Sequence, residues 1–381
     1  MNLTLRKKNG EKGGMAVVIV LVVVTLLTIY AGLFAYSMKI EMRLAKNSDN
    51  DEQMLWLGRG GVELARYVIA LSGQQPFDSL NQVWAGGPGT GPETNGPLMG
   101  LTLDNYPIGD NYVSVKIIDL ERKINVNTAN SEMLRQVLTV MGADAGDISV
   151  VSDSILDWID ADDATRPAGA ESDYYQGLTP PYYAKNAPMD DLSELMLVKG
   201  ITLDMYKGNS ATNDQGANFQ HQQLGFGHAP GEVPTYTFGL EDVLTPFSSG
   251  KININTADLN VLQLIPGMDT DSAQAIMKFR AGPDGVEGTA DDTPFVSVAQ
   301  AAGAGVSPQA AQQLGQYATT KSTTFEVHVT AHIGDQTREF VAVLFRHGQN
   351  VDTVRFYWEN SGASGASDQT ALVPPPAAPT Q

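Results

Sequence analysis

The chain has 381 residues, 42% of them apolar, which is enough to bury a core and excludes wholesale disorder. Its 24 Lys and Arg face 43 Asp and Glu, a net charge of -19, and residues 1–46 hold seven bases against two acids. The rest, with 17 bases and 41 acids, therefore stands at -24 and repels phosphate backbones. There is no cysteine, so disulfide scaffolds, thiol catalysis and sulfur-ligated zinc are excluded.

Met15 to Met38 contains no charged residue. As a helix at ~1.5 Å per residue these 24 residues span about 36 Å, enough to cross a bilayer core. Arg6, Lys7, Lys8 and Lys12 precede it, so the short N-terminal tail is expected to stay cytoplasmic and the body to lie outside. Small residues, Gly13 and Gly14, stand before the apolar stretch rather than after it. Cleavage there would remove a basic leader (1–14) and keep the anchor (15–38).

That leader resembles those of type IV pilins and type II secretion pseudopilins. The resemblance implies cutting by a prepilin peptidase after Gly14 and methylation of Met15. Most members carry a glutamate as the fifth mature residue, where this chain has Ile19. A carboxylate in a bilayer survives only with a partner, which in the family is the amine of the subunit nearer the tip. Its loss in the K-type minor component implies a tip position.

Past the anchor, Met54, Leu57, Gly61, Leu64, Val68 and Leu71 recur at three- and four-residue steps. This predicts one long helix over 15–72, with fraying expected near Asn47–Asp51, or two helices with a break there. Gly58, Gly60 and Gly61 each weaken it by ~1 kcal/mol relative to Ala. Residues 86–97 read as loop, and Tyr112–Val126 as a strand. At the far end Phe325–Ile333, Phe340–Phe345 and Val354–Trp358 predict a three-stranded antiparallel meander. Residues 359–381, rich in Ser, Ala and Pro, predict a disordered tail.

Between these β segments lies about two hundred residues of different texture, with an internal repeat. Lys123-Ile-Asn-Val-Asn-Thr-Ala-Asn130 recurs as Lys251-Ile-Asn-Ile-Asn-Thr-Ala-Asp258. Thr128 or Asn127 is expected to cap a helix over Ser131–Met141, and Thr256 or Asn255 one over Leu259–Leu264. The second copy continues through Pro266-Gly267 into another helix, similar to the helix-hairpin-helix unit of DNA-binding proteins. Asp269 and Asp271 stand where that unit would meet a phosphate, so no nucleic acid is expected as partner.

The pilin-like start with two Asn-x-Asn-Thr-Ala repeats inside a β framework resembles the general secretion pathway protein K family, over roughly residues 10–358. Asp157–Asp163 and Gly169–Tyr175 share in the resemblance. It implies an α+β pseudopilin fold, in which the N-terminal helix packs on an antiparallel sheet. The framework is 73–120 with 320–358, and the inserted, mainly helical domain 121–319 carries the two hairpin repeats. The function implied is that of a tip pseudopilin priming a periplasmic pseudopilus from the bacterial inner membrane, working with I- and J-type minor pseudopilins, other pseudopilins and the inner-membrane platform. Segment 208–234 and the tail look like additions.

Asp157, Asp160, Asp162, Asp163, Glu171 and Asp173 place six carboxylates in 17 residues. Such density calls for solvent or a cation, and irregular oxygen ligands suit calcium. Counted from Asp160, Asp162 and Glu171 fall at positions 3 and 12 of an EF-hand, but Ala164 and Thr165 break that template. The resemblance also implies calcium binding. Asp160, Asp162, Glu171 and Asp173 are the expected ligands, brought together by a reversal at Pro167-Ala-Gly169, with Asp284, Glu287, Asp291 and Asp292 as a second candidate loop. No nucleophile elbow, phosphate loop or HExxH occurs, and His328 and His332 lie too far apart on one strand to share a metal, so no enzyme is expected. A membrane-anchored DNA receptor and an anchored hydrolase are the alternatives.

Overall fold

The computed structural model describes residues 12–208 and 236–359. The leader through residue 11, most of the 208–234 addition and the tail from residue 360 lie outside the described residues. The chain divides into two compact units, one ending at Leu57 and one beginning at Gly58.

Helix α1 (Lys12–Ser72) runs unbroken for 61 residues, including Asn47–Asp51, where fraying was expected. That stretch has no proline, and its weak helix formers cost tenths of a kcal/mol each (~0.7 at most), less than breaking the ladder. Within α1, Val17–Met42 has a mean hydropathy of 2.8 and none of it is buried. It is a candidate membrane anchor.

The second unit is built on a five-stranded antiparallel sheet, β1 (Tyr106–Ile108), β2 (Asn111–Asp119), β7 (Thr324–Ile333), β8 (Gln336–His347) and β9 (Asn350–Glu359), in that spatial order. Phe325, Val327, Val329 and Ala331 alternate onto its fully buried face. The end of α1 lies against that face. A Cβ at Gly58 would sit 2.6 Å from Phe340, and one at Gly61 2.3 Å from Val329 Cγ1. These glycines forgo helix propensity so that the backbone can approach the sheet closely.

The strand expected over Tyr112–Val126 stops at Asp119. Its carboxylate accepts the Glu121 N–H at 2.8 Å and starts a single 3-10 turn, Leu120–Arg122. From there the chain makes a long excursion before returning to β7, where Asp119 pairs with Phe325.

The excursion is two related passages. The first opens with β3 (Ile124–Asn125) and α2 (Ser131–Met141), then α3 (Ala145–Ile159), α4 (Ser172–Gln176), α5 (Leu203–Lys207) and α6 (Leu240–Val243). It closes with β4 (Leu244–Thr245), parallel to β3. The second opens with β5 (Ile252–Asn253), runs through α7 (Leu259–Gln263), α8 (Thr270–Arg280) and α9 (Pro308–Tyr317), and closes with β6 (Ala318–Thr319), parallel to β5.

The helix caps differ from expectation. Asn130 caps α2 by accepting from Met133 N–H, and Asp258 caps α7 by accepting from Val261 N–H, both at 2.9 Å. The Thr-Ala before each cap is already inside a turn, Ala129 and Ala257 donating to Asn125 and Asn253 carbonyls. Between α7 and α8 the turn at Pro266-Gly267 has Gly267 at φ +78°, and Asp269 caps α8 through Ser272 N–H. Both passages share one hydrophobic core, with Leu134, Ile155, Leu262, Ile276 and Phe295 among its members.

Candidate metal centre

Asp160 and Asp162 follow the C-terminus of α3, and Glu171 stands immediately before α4. The reversal between them is the turn at Pro167-Ala168, closed by Gly169 N–H donating to the Arg166 carbonyl at 3.0 Å. A Cβ at Gly169 would lie 1.9 Å from Asp157 Oδ2, so only glycine lets this loop fold over α3.

The loop is tied down by Asp157, which is fully buried. Its carboxylate accepts from the Arg166 main-chain N–H at 3.2 Å and from the Arg166 guanidinium at 2.6 Å. The same guanidinium nitrogen reaches Asp160 Oδ2. Lys199 Nζ holds the turn from outside, donating to the Gly169 carbonyl at 2.9 Å.

Among the described residues, Asp160, Asp162 and Glu171 bring one carboxylate oxygen each within 4.8 Å of one another. Asp173 is not with them. It faces solvent from the first turn of α4, because the helix begins one residue after Glu171 and turns the next acid outward. Thr165, considered as a hydroxyl ligand, is exposed.

Glu171 is the informative member. It is 3% exposed, yet neither of its carboxylate oxygens has a hydrogen-bond partner. Burial, with Asp157, Asp160, Asp163 and Asp162 nearby, pushes its carboxyl up to about 7. Asp160 Oδ1 is likewise buried and unpartnered, and so is Oδ1 of Asn186, whose amide nitrogen donates to Asp163 at 2.8 Å. A buried carboxylate with no donor carries its whole desolvation penalty. Hard oxygen atoms in such a state suit a cation of calcium's type, which takes six to eight oxygens in flexible geometry.

The second acidic loop is organised differently. Val286 N–H donates to Asp284, Asp284 N–H to Asp291, and Gly288 N–H to Asp292, at 2.8–3.1 Å. Glu287 pairs with Arg280 Nε at 2.6 Å. The Thr289 hydroxyl and the Asp284 amide hold Asp291 below the usual carboxylate range. These acids are spent on the loop's own amides and one arginine, and they do not gather into a ligand group.

A third polar cluster, not anticipated from sequence, joins the second repeat to the sheet. Asp119 Oδ2 accepts from Asn253 Nδ2 and from the Thr256 and Ser322 hydroxyls. Asp78, also fully buried, takes the Ser322 N–H and the Arg346 guanidinium. Burial and neighbouring Glu121 push the Asp119 carboxyl up to about 8. Among the described residues, His328 lies between Glu326 and Glu339, and His332 stacks on Tyr112, both away from these acidic loops.

Comparison with known proteins follows the same outline. A family model described as type II secretion system (T2SS), protein K, matches residues 113–208. Type II secretion system protein K of Aeromonas hydrophila is 30% identical over 206 residues, covering 51% of this chain and 61% of that protein. Its counterpart in Pseudomonas aeruginosa is 27% identical over 201 residues, 49% of this chain and 57% of that one. The chain thus spans under two thirds of the length of these curated relatives. Among solved structures, a chain of the GspK-GspI-GspJ complex from enterotoxigenic Escherichia coli superposes with a TM-score of 0.59 at 18% identity, over 83% of this chain and 99% of that one. At that identity the likeness is one of fold.

Proposed function

We propose that the chain belongs to the type II secretion system protein K family and is a minor pseudopilin at the tip of the secretion pseudopilus, where it initiates and caps assembly. The observation that carries this reading is the combination of an unburied apolar helix, Val17–Met42, with a sheet whose neighbouring strands β2 and β7 are separated by a two-passage helical excursion. That architecture is matched by a chain of a complex named for its K, I and J components.

On this reading the anchor sits in the bacterial inner membrane and the body in the periplasm. Prepilin peptidase cuts between Gly14 and Met15, and I- and J-type minor pseudopilins are the direct partners, within an assembly of other pseudopilins and the inner-membrane platform. Ile19, with no carboxylate to offer a subunit above it, suits a terminal place. The role is structural and not enzymatic.

Asp160, Asp162 and Glu171 would hold a calcium ion. The ion would supply positive charge to a buried carboxylate that lacks it and so fix the α3–α4 loop. A DNA receptor is disfavoured, since Asp269 itself caps α8 at the hairpin where a phosphate would dock.

The test is co-expression of the full chain with I- and J-type pseudopilins of the same bacterium, followed by detergent extraction and size-exclusion chromatography. Co-elution of all three is expected, with mass spectrometry giving Met15 as a methylated N-terminus. A chain that elutes alone and retains Met1 would overturn the reading.

A further inference from the structure

Strand β1 pairs with β2 at Asn111–Val113 only. Beyond it Val115 N–H donates to the Leu103 carbonyl at 2.8 Å. Two residues on, the N–H and C=O of Ile117 face the same way, away from β7, by the period of a strand. Among the described residues no strand covers them. A cleft of about 470 Å³ runs along this edge between the 83–87 turn and segment 101–104, floored by Trp84, Leu103, Val115 and Ile117.

The cleft has an unusual charge for so acidic a body. Lys116 and Arg122 both line it, and among the described residues neither makes an ion pair or a side-chain hydrogen bond. Two acids share the lining. Asp119 is already satisfied by the Glu121 N–H, Asn253, Thr256 and Ser322, and Asp104 is exposed.

We propose that this cleft receives an extended, carboxylate-bearing segment of a partner protein as an added strand on β2. Its main chain pairs with Ile117, an apolar side chain lies against Trp84 and Leu103, and its carboxylate meets Arg122. Unpaired main-chain groups at a sheet edge select an extended polypeptide over a small molecule. The two uncommitted cations select an acidic one. The inference does not depend on the pilus role, because it concerns this edge alone.

The chain's lack of cysteine makes the test direct. Thr102→Cys, at the exposed rim, is labelled with an environment-sensitive fluorophore in the full detergent-solubilised chain. The probe is the peptide acetyl-Val-Thr-Val-Asp-amide. A saturable signal is expected, weakened about tenfold by Arg122→Gln, as for loss of one charge-assisted hydrogen bond. The peptide ending in Asn-amide should bind about tenfold more weakly to wild type and lose nothing more on Arg122→Gln. Proline in place of the peptide's threonine should abolish binding. Arg122→Gln should melt as wild type does, since the Arg122 side chain makes no hydrogen bond or ion pair among the described residues. No saturable binding, equal affinity for wild type and Arg122→Gln, or a signal that rises with protein concentration without peptide would each overturn the proposal, the last in favour of contact between copies.

Discussion

Asn255 exchanges two hydrogen bonds with the main chain of Phe295: its Nδ2 donates to the Phe295 carbonyl at 2.9 Å, and the Phe295 N–H donates to its Oδ1 at 2.8 Å. Asn127 does the same with Met189, at 2.9 and 2.7 Å. In each repeat a side-chain amide stands in for a strand and pins the returning chain 40 or 62 residues later. This accounts for the asparagine at the fifth place of both eight-residue motifs, because no other short side chain offers a donor and an acceptor side by side. Asn255→Asp should destabilise the protein by about 1–3 kcal/mol, as it sets a carboxylate against a buried carbonyl. Asn127→Asp, at a half-buried site, should cost less. Denaturant melts of the two variants would show it, and equal stability of all three proteins would mean the pin contributes nothing.

Glu171 gives a prediction of opposite sign in two buffers. In chelator, Glu171→Gln should raise the melting temperature, because it removes a buried, unpartnered carboxylate. In millimolar calcium the wild type should gain stability as RT ln(1 + [L]/Kd), about 2.7 kcal/mol at a hundredfold excess, and the variant should gain little. Asp160→Ala with Asp162→Ala should also remove most of the calcium effect. If that double variant kept the full shift, the ion would be bound elsewhere.

The same carboxyl fixes a pH dependence. Its folded value of about 7 lies above the 4.5 of the free group. Between those limits the folded state holds a proton that the unfolded state has lost. Without metal, Glu171 therefore stabilises the fold least above pH 7 and most below about 4.5. Calcium needs the deprotonated form, so its stabilising effect should grow as pH rises through 7. Thermal melts at pH 5.5, 7 and 8.5, with and without calcium, would read this out, and a calcium shift independent of pH would exclude Glu171 as a ligand.

Two glycines should respond oppositely to alanine. Gly61→Ala would drive a methyl to 2.3 Å from Val329 and should destabilise by several kcal/mol or shift α1 off the sheet. Gly315→Ala, in α9 with open space around it, should stabilise by up to ~1 kcal/mol. Comparable melts for both would show that the close approach of α1 is not required.

At the other end of α1, Ile19→Glu places a carboxylate in the apolar span. A terminal subunit gives it no amine partner, so secretion of a reporter substrate should fall. Undiminished secretion with correctly localised protein would argue against the tip position.

What could be read from the residues alone was what repeats at short period. Alternation gave β7 and β9, a continuous apolar run gave β8, and hydrophobic spacing gave α1. The eight-residue duplication marked both passages. The caps were misplaced by two or three residues, because the motif's polar run offers several cap-competent side chains. Only the turn at Ala129 and Ala257 decides that Asn130 and Asp258 take the role. Three of four proposed ligands converge, and Asp173 misses because its direction depends on where α4 starts. Arg166 could not be read from sequence, because it ties Asp157 to Asp160 only once the loop has closed.

Asp119 and Phe325 face each other across β2 and β7 although about two hundred residues separate them in sequence. The point of departure from the sheet and the point of return thus lie directly opposite each other on adjacent strands. The excursion is in effect a graft, joined to its rootstock through the buried cluster of Asp119, Asn253, Thr256 and Ser322. A change of length within the excursion need not disturb the register of the sheet, nor whatever the sheet's edges meet.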